Sequence, residues 1–79
     1  MTNREKYDKV FMEALNLQPE QLNDALVYNS VPTWDSVGHM AMMVSLESEF
    51  DIMIDTEDII DFSSYSKGLE ILGKYGVQF

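Results

Sequence analysis

The segment SVGHMAMMVSLESEF, residues 36–50, decides the fold class of this chain. It contains neither Pro nor a turn-forming pair, so it can form one unbroken helix. At about 3.6 residues per turn, one side of that helix collects a broad apolar stripe that we expect to face the core. The members of this stripe are His39, Met42, Met43, Leu46 and Phe50. The segment therefore indicates a helical protein.

The N-terminal segment predicts a helix over residues 3–16. TNRE, residues 2–5, matches a capping box, in which Thr2 accepts from the amide three residues on and Glu5 reaches back. An apolar stripe at helical spacing follows, and it ends before Gln18-Pro19. The members of this stripe are Tyr7, Val10, Phe11, Ala14 and Leu15.

The C-terminal part of the chain predicts a short helix over residues 57–61 and a longer helix after it. Ser63 or Ser64 is the expected cap of the last helix, whose apolar face holds Tyr65, Leu69 and Leu72. No alternating strand pattern and no internal repeat occurs in the sequence. The fold prediction is therefore all-α: one domain, residues 1–79, forming a small bundle of three main helices plus one short helix.

Residues 17–35 form a long connection between the first two main helices. It holds the turn formers Pro19, Asn23, Asn29-Ser30 and Pro32, which break any long periodic run. Structureless loops longer than roughly a dozen residues are uncommon in compact domains and are often functional. The end of this connection, Trp34-Asp35-Ser36, is therefore a candidate functional position.

A second apolar set lies on the opposite side of the helix predicted for residues 36–50. A helix that packs on only one face would leave this set exposed, next to acidic residues, as a surface for partners. The candidate partner-binding residues are Val37, Met40, Ala41, Val44 and, at the edge, Glu47. The alternative is that the long connection folds over this face and covers it.

Length and cysteine content limit the classes of function. A chain of 79 residues has little room for a buried catalytic cavity, so we do not expect an enzyme, and we predict no catalytic residue. No cysteine is present, which excludes a disulfide framework and a thiolate metal site. The charged N-terminus and the lack of a long apolar run indicate neither a signal peptide nor a membrane span. We expect a cytoplasmic monomer.

The charge of the chain is strongly acidic and unevenly distributed. The formal net charge is −9, and residues 10–66 contain no Lys or Arg at all. Binding to nucleic acid or to an anionic membrane requires clustered basic residues, so neither is expected. Partners with basic surfaces would instead be attracted to the central segment. The alternative is that the acids only keep a small protein soluble.

Two roles are open for Ser36. Asp and Ser are both preferred helix N-caps, so either Asp35 or Ser36 could serve only as a cap. The N-terminus of a helix also favours negative charge, so a phosphate esterified to Ser36 would be stabilised there. The residue types alone do not separate these two roles.

The stretch DSVGHMAMMVSLESEFDIMI, residues 35–54, resembles the acyl carrier protein family. That family has an Asp-Ser-(Leu/Val/Met) motif followed by an apolar helix with a Glu-rich end. The similarity extends over the chain in length, helix order and acidity. The closest matches are Asp35-Ser36-Val37, Leu46-Glu47, Glu49-Phe50 and Ile54.

The resemblance implies a covalent cofactor, 4′-phosphopantetheine. A phosphopantetheinyl transferase would move this arm from coenzyme A to the hydroxyl of Ser36, next to Asp35. The thiol of the arm would then carry an acyl or aminoacyl group as a thioester. The implied partners are the transferase, an acyl- or aminoacyl-activating ligase, and downstream acyl-transfer enzymes with basic surfaces.

Four positions differ from the carriers of fatty-acid synthesis. Those proteins commonly have acids where this chain has Gly38 and Ala41, and Trp34 and His39 are not their usual residues. The pattern Trp-Asp-Ser-x-Gly-His is more similar to stand-alone carriers of specialised pathways. Polyketide, nonribosomal peptide and surface-polysaccharide modification systems use such carriers.

Three other functions fit the residues less well. Asp35, Ser36 and His39 could suggest a hydrolase triad, but three residues within one turn leave no wall for a substrate. DIMIDTEDIIDF, residues 51–62, fails as a calcium loop because Met53 and Thr56 replace required residues, and we predict no metal site. The main alternative is an unmodified acidic helical adaptor that binds one protein partner through the exposed face.

Overall fold

The computed structural model describes residues 1–79 and contains four α-helices and no strand. The helices are α1 (Asn3–Leu15), α2 (Ser36–Phe50), α3 (Thr56–Asp61) and α4 (Tyr65–Lys74). The prediction of an all-α bundle with three main helices and one short helix is confirmed. The bounds of α2 match the predicted segment, and α1 and α3 each differ from prediction by one residue at one end. None of the helices has the length and apolar character needed to cross a membrane.

The ends of the first two helices follow from local side-chain chemistry. The predicted capping box at the start of α1 is present, with hydrogen bonds in both directions between Thr2 and Glu5. Asn16 ends α1 and Asp51 ends α2, both in the left-handed conformation, with φ of 56° and 53°. Asn and Asp tolerate this conformation better than most residues with side chains.

The predicted inner stripe of α2 forms the centre of the core. His39, Met42, Met43 and Leu46 are buried, whereas Phe50 at the end of the helix is half-buried. The ring of Phe50 packs against the margin of the core and meets the ring of Phe79 edge-to-face. The core is one cluster of 16 buried hydrophobic residues, which come from α1, α2, α4 and the segments between the helices and after α4.

Helix α4 packs on α1 with the predicted apolar face, which Ile71 extends. Ser64, and not Ser63, caps this helix by accepting from the amide of Lys67. Tyr65 and Leu72 are buried as predicted, but Leu69 is only half-buried, and Ile71 is buried beside Leu72. The three predicted residues therefore all face the core, and Ile71 is an additional buried residue that the prediction did not include.

Gly68 lets α4 approach α1 closely. A Cβ atom at this position would overlap both the ring of Phe62 and the hydroxyl of Tyr7. That hydroxyl donates to the backbone oxygen of Tyr65 at 2.7 Å, and burial raises the pKa of Tyr7 well above its ordinary value. The contact between α1 and α4 therefore depends on the missing side chain of Gly68.

The long connection is ordered by hydrogen bonds to the start of α4. It contains a short 3-10 helix, Pro19–Gln21, and its later part pairs with the segment between α3 and α4. The amide of Tyr28 donates to Ser63 at 2.8 Å, and the amide of Tyr65 donates to Leu26 at 2.9 Å. The connection therefore packs on α4 and does not cover the outer face of α2.

Asp58 fastens α3 to the end of α4. Its carboxylate accepts from Nζ of Lys74 at 2.6 Å and from the hydroxyl of Tyr75 at 2.5 Å. These hydrogen bonds, the one from Lys74 first, lower the pKa of Asp58. The same hydroxyl of Tyr75 accepts from the amide of Asp55, so the N-cap and the first turn of the short helix are both tied to the end of α4.

Replacing residues on the two faces of α2 by Ala should lower the free energy of unfolding by very different amounts. Leu46→Ala should lower the free energy of unfolding by about 2 to 5 kcal/mol, because Leu46 is fully buried and its loss leaves a cavity. Val44→Ala should cost less than about 0.5 kcal/mol, because 61% of Val44 is exposed. Chemical denaturation of both variants measures the difference. Equal costs would contradict the assignment of inner and outer faces.

Candidate functional site at the start of α2

Asp35, and not Ser36, caps α2. Oδ1 of Asp35 accepts from the amide of Gly38 at 2.8 Å, and the backbone of Asp35 is extended as an N-cap requires. Ser36 is the first residue of the helix and is exposed to solvent. Its hydroxyl is therefore not needed to cap the helix, and the capping role belongs to Asp35.

Gly38 lets the end of the long connection pass close to the first turn of α2. A Cβ atom at Gly38 would overlap the carbonyl oxygen of Thr33 and press on Leu15. The hydroxyl of Thr33 in turn donates to the backbone oxygen of Leu15 at 2.5 Å, which joins the connection to the end of α1. The absence of an acid at position 38 therefore has a steric cause, and Ser36 is held next to a tightly packed backbone.

Trp34 and His39 form a buried hydrogen-bonded pair beneath Ser36. Nε1 of Trp34 donates to Nδ1 of His39 at 2.9 Å, and Nε2 of His39 lies 2.7 Å from the backbone oxygen of Ile59. Since Nδ1 accepts, the proton is on Nε2, which donates to Ile59. The imidazole is therefore neutral, and it links the connection, α2 and α3.

The buried role of Trp34 was not predicted from the sequence. Its indole is fully buried and packs edge-on against Phe11, with the ring centres 5.5 Å apart. Placing His39 on the inner stripe of α2 was correct, and the side chain is only 9% exposed. A polar partner for a buried indole N–H could have been sought in the sequence, because a buried Trp N–H usually requires an acceptor.

The side chains of Asp35, Ser36 and His39, considered above as a hydrolase triad, are not hydrogen-bonded to one another. Both nitrogens of His39 are bonded, to Trp34 and to Ile59, and the carboxylate of Asp35 is bonded to Gly38. They do not form a nucleophile–base–acid relay. Nor does the structure bring together three acidic or His side chains that could hold a metal ion.

A pocket of about 320 Å³ opens beside Ser36, between α2 and α3. Its walls are mainly apolar and no charged side chain lines it. The wall residues from the two helices and the turn after them are Ser36, His39, Met40, Ile59, Ile60 and Phe62. The candidate attachment point therefore stands at the rim of an apolar pocket.

The outer face of α2 is exposed as predicted. The exposed fractions are 78% for Val37, 49% for Met40 and 61% for Val44, and Ala41 is exposed as well. Ile60 of α3 was not predicted for this surface, but it is 74% exposed and lines the pocket together with Met40. The sequence pattern of α2 alone could not show that a residue of α3 would extend this exposed apolar surface.

Glu47 has a structural contact in addition to its place beside the outer face. Oε2 of Glu47 accepts from the amide of Ile54 at 2.8 Å, and the side chain is half-buried. The contact closes the turn between α2 and α3. A substitution of Glu47 would therefore change this turn as well as the surface charge.

No family model, curated protein or solved structure matches this chain. A function therefore has to be inferred from its own residues and their geometry.

The capping geometry predicts opposite results for two neighbouring substitutions. Asp35→Ala should lower the free energy of unfolding by about 1 kcal/mol, because the amide of Gly38 loses its partner. Ser36→Ala should change it by less than about 0.5 kcal/mol, because the Ser36 hydroxyl does not cap the helix. Thermal or chemical denaturation measures both, and the reverse order would show that Ser36 is the cap.

Proposed function

We propose that this protein is an acyl or aminoacyl carrier in which Ser36 bears a 4′-phosphopantetheine arm derived from coenzyme A. The observation that carries the proposal is the exposed hydroxyl of Ser36 at the first position of α2, freed from capping by Asp35. This is the position at which the resemblance to acyl carrier proteins requires an attachment site.

The electrostatics of the helix start support a phosphate on Ser36. The first turn of a helix has amides without intrahelical partners, and its dipole favours a negative group. The first turn of α2 contains no acidic side chain that would oppose the phosphate from within the helix. A phosphodiester between Ser36 and the arm would therefore lie in the favourable field of the helix start, although the carboxylate of Asp35 stands beside it and already accepts from the amide of Gly38.

The composition supports a carrier that obtains its reactive group from the cofactor. The chain has no cysteine, so a thioester has to be formed on the thiol of the arm. In this proposal the protein presents the thioester to other enzymes and performs no chemistry itself.

The proposed partners bind the face of α2 that adjoins Ser36. Val37, Met40, Ala41 and Val44 supply exposed apolar area there, extended by Ile60. Apolar groups at the centre of an interface supply most of the binding energy. The phosphopantetheinyl transferase, the activating ligase and the downstream acyl-transfer enzymes would share this surface in turn.

The acidic segment supports partners with basic surfaces. Glu57 is exposed and stands three residues before Ile60, so it lies on the same side of α3. Such charges at the rim of an interface mainly increase the rate of encounter. Through their resemblance to stand-alone carriers, Trp34, Gly38 and His39 favour a carrier of a specialised pathway. We propose that it acts in the cytoplasm as a monomer.

Modification of Ser36 is the direct test. Incubation of the folded protein with coenzyme A and a broad-specificity phosphopantetheinyl transferase should increase its intact mass by one phosphopantetheinyl group. Ser36→Ala should gain none, and peptide mapping should locate the group on Ser36. The alternative, an unmodified acidic adaptor, predicts no mass change with any transferase.

Two surface substitutions separate the apolar and the charged parts of the proposed interface. Met40→Glu should slow the loading of Ser36 at every salt concentration, because it places a charge in the desolvated centre of the contact. Glu57→Lys should slow loading mainly at low ionic strength, because salt screens exposed charges. Glu57 is the better choice than Glu47, which also bonds Ile54.

Initial loading rates at low and high salt measure both effects, with circular dichroism to show that each variant is folded. Met53→Glu is the matched control, because Met53 is 85% exposed, lies between α2 and α3, and belongs neither to the outer face of α2 nor to the pocket beside Ser36. Loading of Met40→Glu at the normal rate under both conditions would exclude this face as the surface that the transferase binds.

A further inference from the structure

His39 forms the inner end of the pocket beside Ser36. Its ring lies nearly parallel to that of Trp34, at an angle of 17°, and meets the rings of Tyr28 and Phe62 edge-on at 5.7 and 6.0 Å. Because the ring is packed on these sides and both its nitrogens are bonded, it separates the pocket from the core. The volume of the pocket, about 320 Å³, is near the lower limit for small-molecule sites, so it has room only for a small group.

The outer wall of the pocket depends on a helix that cannot be stable alone. Helix α3 has six residues, and no side chain caps its N-terminus. It is held from one side by Asp58, which bonds Lys74 and Tyr75 of the C-terminal segment. On the other side the backbone oxygen of Ile59, in the last turn, accepts from His39. The hydrogen bond from His39 thus joins α3 directly to α2, the helix that carries Met40.

The chemistry of the pocket selects against charge. No Lys, Arg, Asp or Glu lines it, and His39 has no free nitrogen to offer a polar group. A charged group that entered would lose its hydration without gaining a partner. Apolar groups would gain contact with Met40, Ile60 and Phe62, and the hydroxyl of Ser63 stands at the pocket wall as a hydrogen-bonding group.

We propose that His39 is a positioning residue that holds α3 on α2, and that it thereby restricts the pocket to a short, uncharged acyl group carried by the arm. The acyl selectivity rests on the proposed function of Ser36, whereas the fastening of α3 does not. The inference favours a simple acyl cargo over an aminoacyl or carboxyl-terminated one, because the latter two carry charge at neutral pH.

Two substitutions of His39 separate its two hydrogen bonds. Asn places its side-chain oxygen near the position of Nδ1, so His39→Asn keeps the acceptor for Trp34 and loses the bond to Ile59. Gln extends its amide to the position of Nε2, so His39→Gln keeps the donor to Ile59 and loses the acceptor for Trp34. The fluorescence of Trp34, the only Trp in the chain, should therefore shift in His39→Gln and not in His39→Asn.

Hydrogen exchange of the unmodified protein tests the fastening of α3. The amides of α3 should exchange about fivefold faster in His39→Asn than in the wild type, as expected for the loss of one hydrogen bond. They should exchange at nearly the wild-type rate in His39→Gln. Equal acceleration in both variants would show that His39 acts only through core packing, and would overturn the proposal.

Thioester reactivity of the loaded protein tests the selectivity. Butyryl and succinyl groups have the same number of carbons, but only the succinyl group ends in a carboxylate. Each group is attached to the arm on Ser36, and the rate at which hydroxylamine cleaves its thioester is measured. This rate is divided by the cleavage rate of the same thioester on free pantetheine. The butyryl protein should react about fivefold more slowly than its reference, and the succinyl protein at the rate of its reference. Equal ratios for the two groups would overturn the selectivity.

The variants complete this test. Protection of the butyryl thioester should be lost in His39→Asn and retained in His39→Gln. If His39→Asn is not folded, Ile60→Ser replaces it, because this change removes an exposed pocket wall and no core residue; butyryl protection that survives it would overturn the proposal. A protein that cannot be loaded at all would contradict the proposed function and the acyl selectivity with it, while hydrogen exchange would still decide the role of His39.

Discussion

The hydrogen-bonded link from Trp34 through His39 to Ile59 joins three segments of the chain at the start of α2. A buried indole N–H and a backbone oxygen near a helix end both require partners, and one neutral imidazole serves both. The long connection, α2 and α3 meet at this ring. The capping of α2 by Asp35 and the close approach at Gly38 depend on the path that Trp34 gives to the connection.

The exposure of Ser36 follows from that arrangement. Because Asp35 supplies the cap and the connection packs back on α4, nothing folds over the first turn of α2. The outer face of α2 is left uncovered for the same reason. Its methionine and valines are then available next to the hydroxyl, which is what the proposed carrier function requires of a surface used by several enzymes in succession.

The acidic residues divide into two groups with different physical roles. Asp58 and Glu47 have hydrogen-bonded partners and hold α3 in place, Asp58 through Lys74 and Tyr75, and Glu47 through the amide of Ile54. Exposed acids such as Glu57 have no such task in the fold and contribute to the field that basic partners would meet. The negative charge of the chain thus comes partly from acids that hold the fold together and partly from exposed acids on the surface.

The sequence by itself determined the helices, the capping box at Thr2 and Glu5, the two faces of α2 and the position of Ser36. These features depend on local spacing and on hydrogen bonds between residues close in the chain, which a pattern records directly. Only the tertiary structure decided that Asp35 is the cap, that Trp34 bonds His39, that Gly38 must lack a side chain and that Ile60 completes the outer surface. Asp35, Trp34 and Gly38 contact residues only three to five positions away, but a spacing pattern does not record the path of the chain that brings these groups together. That path, and the position of Ile60 beside Met40, are set by packing between segments, which local periodicity does not contain.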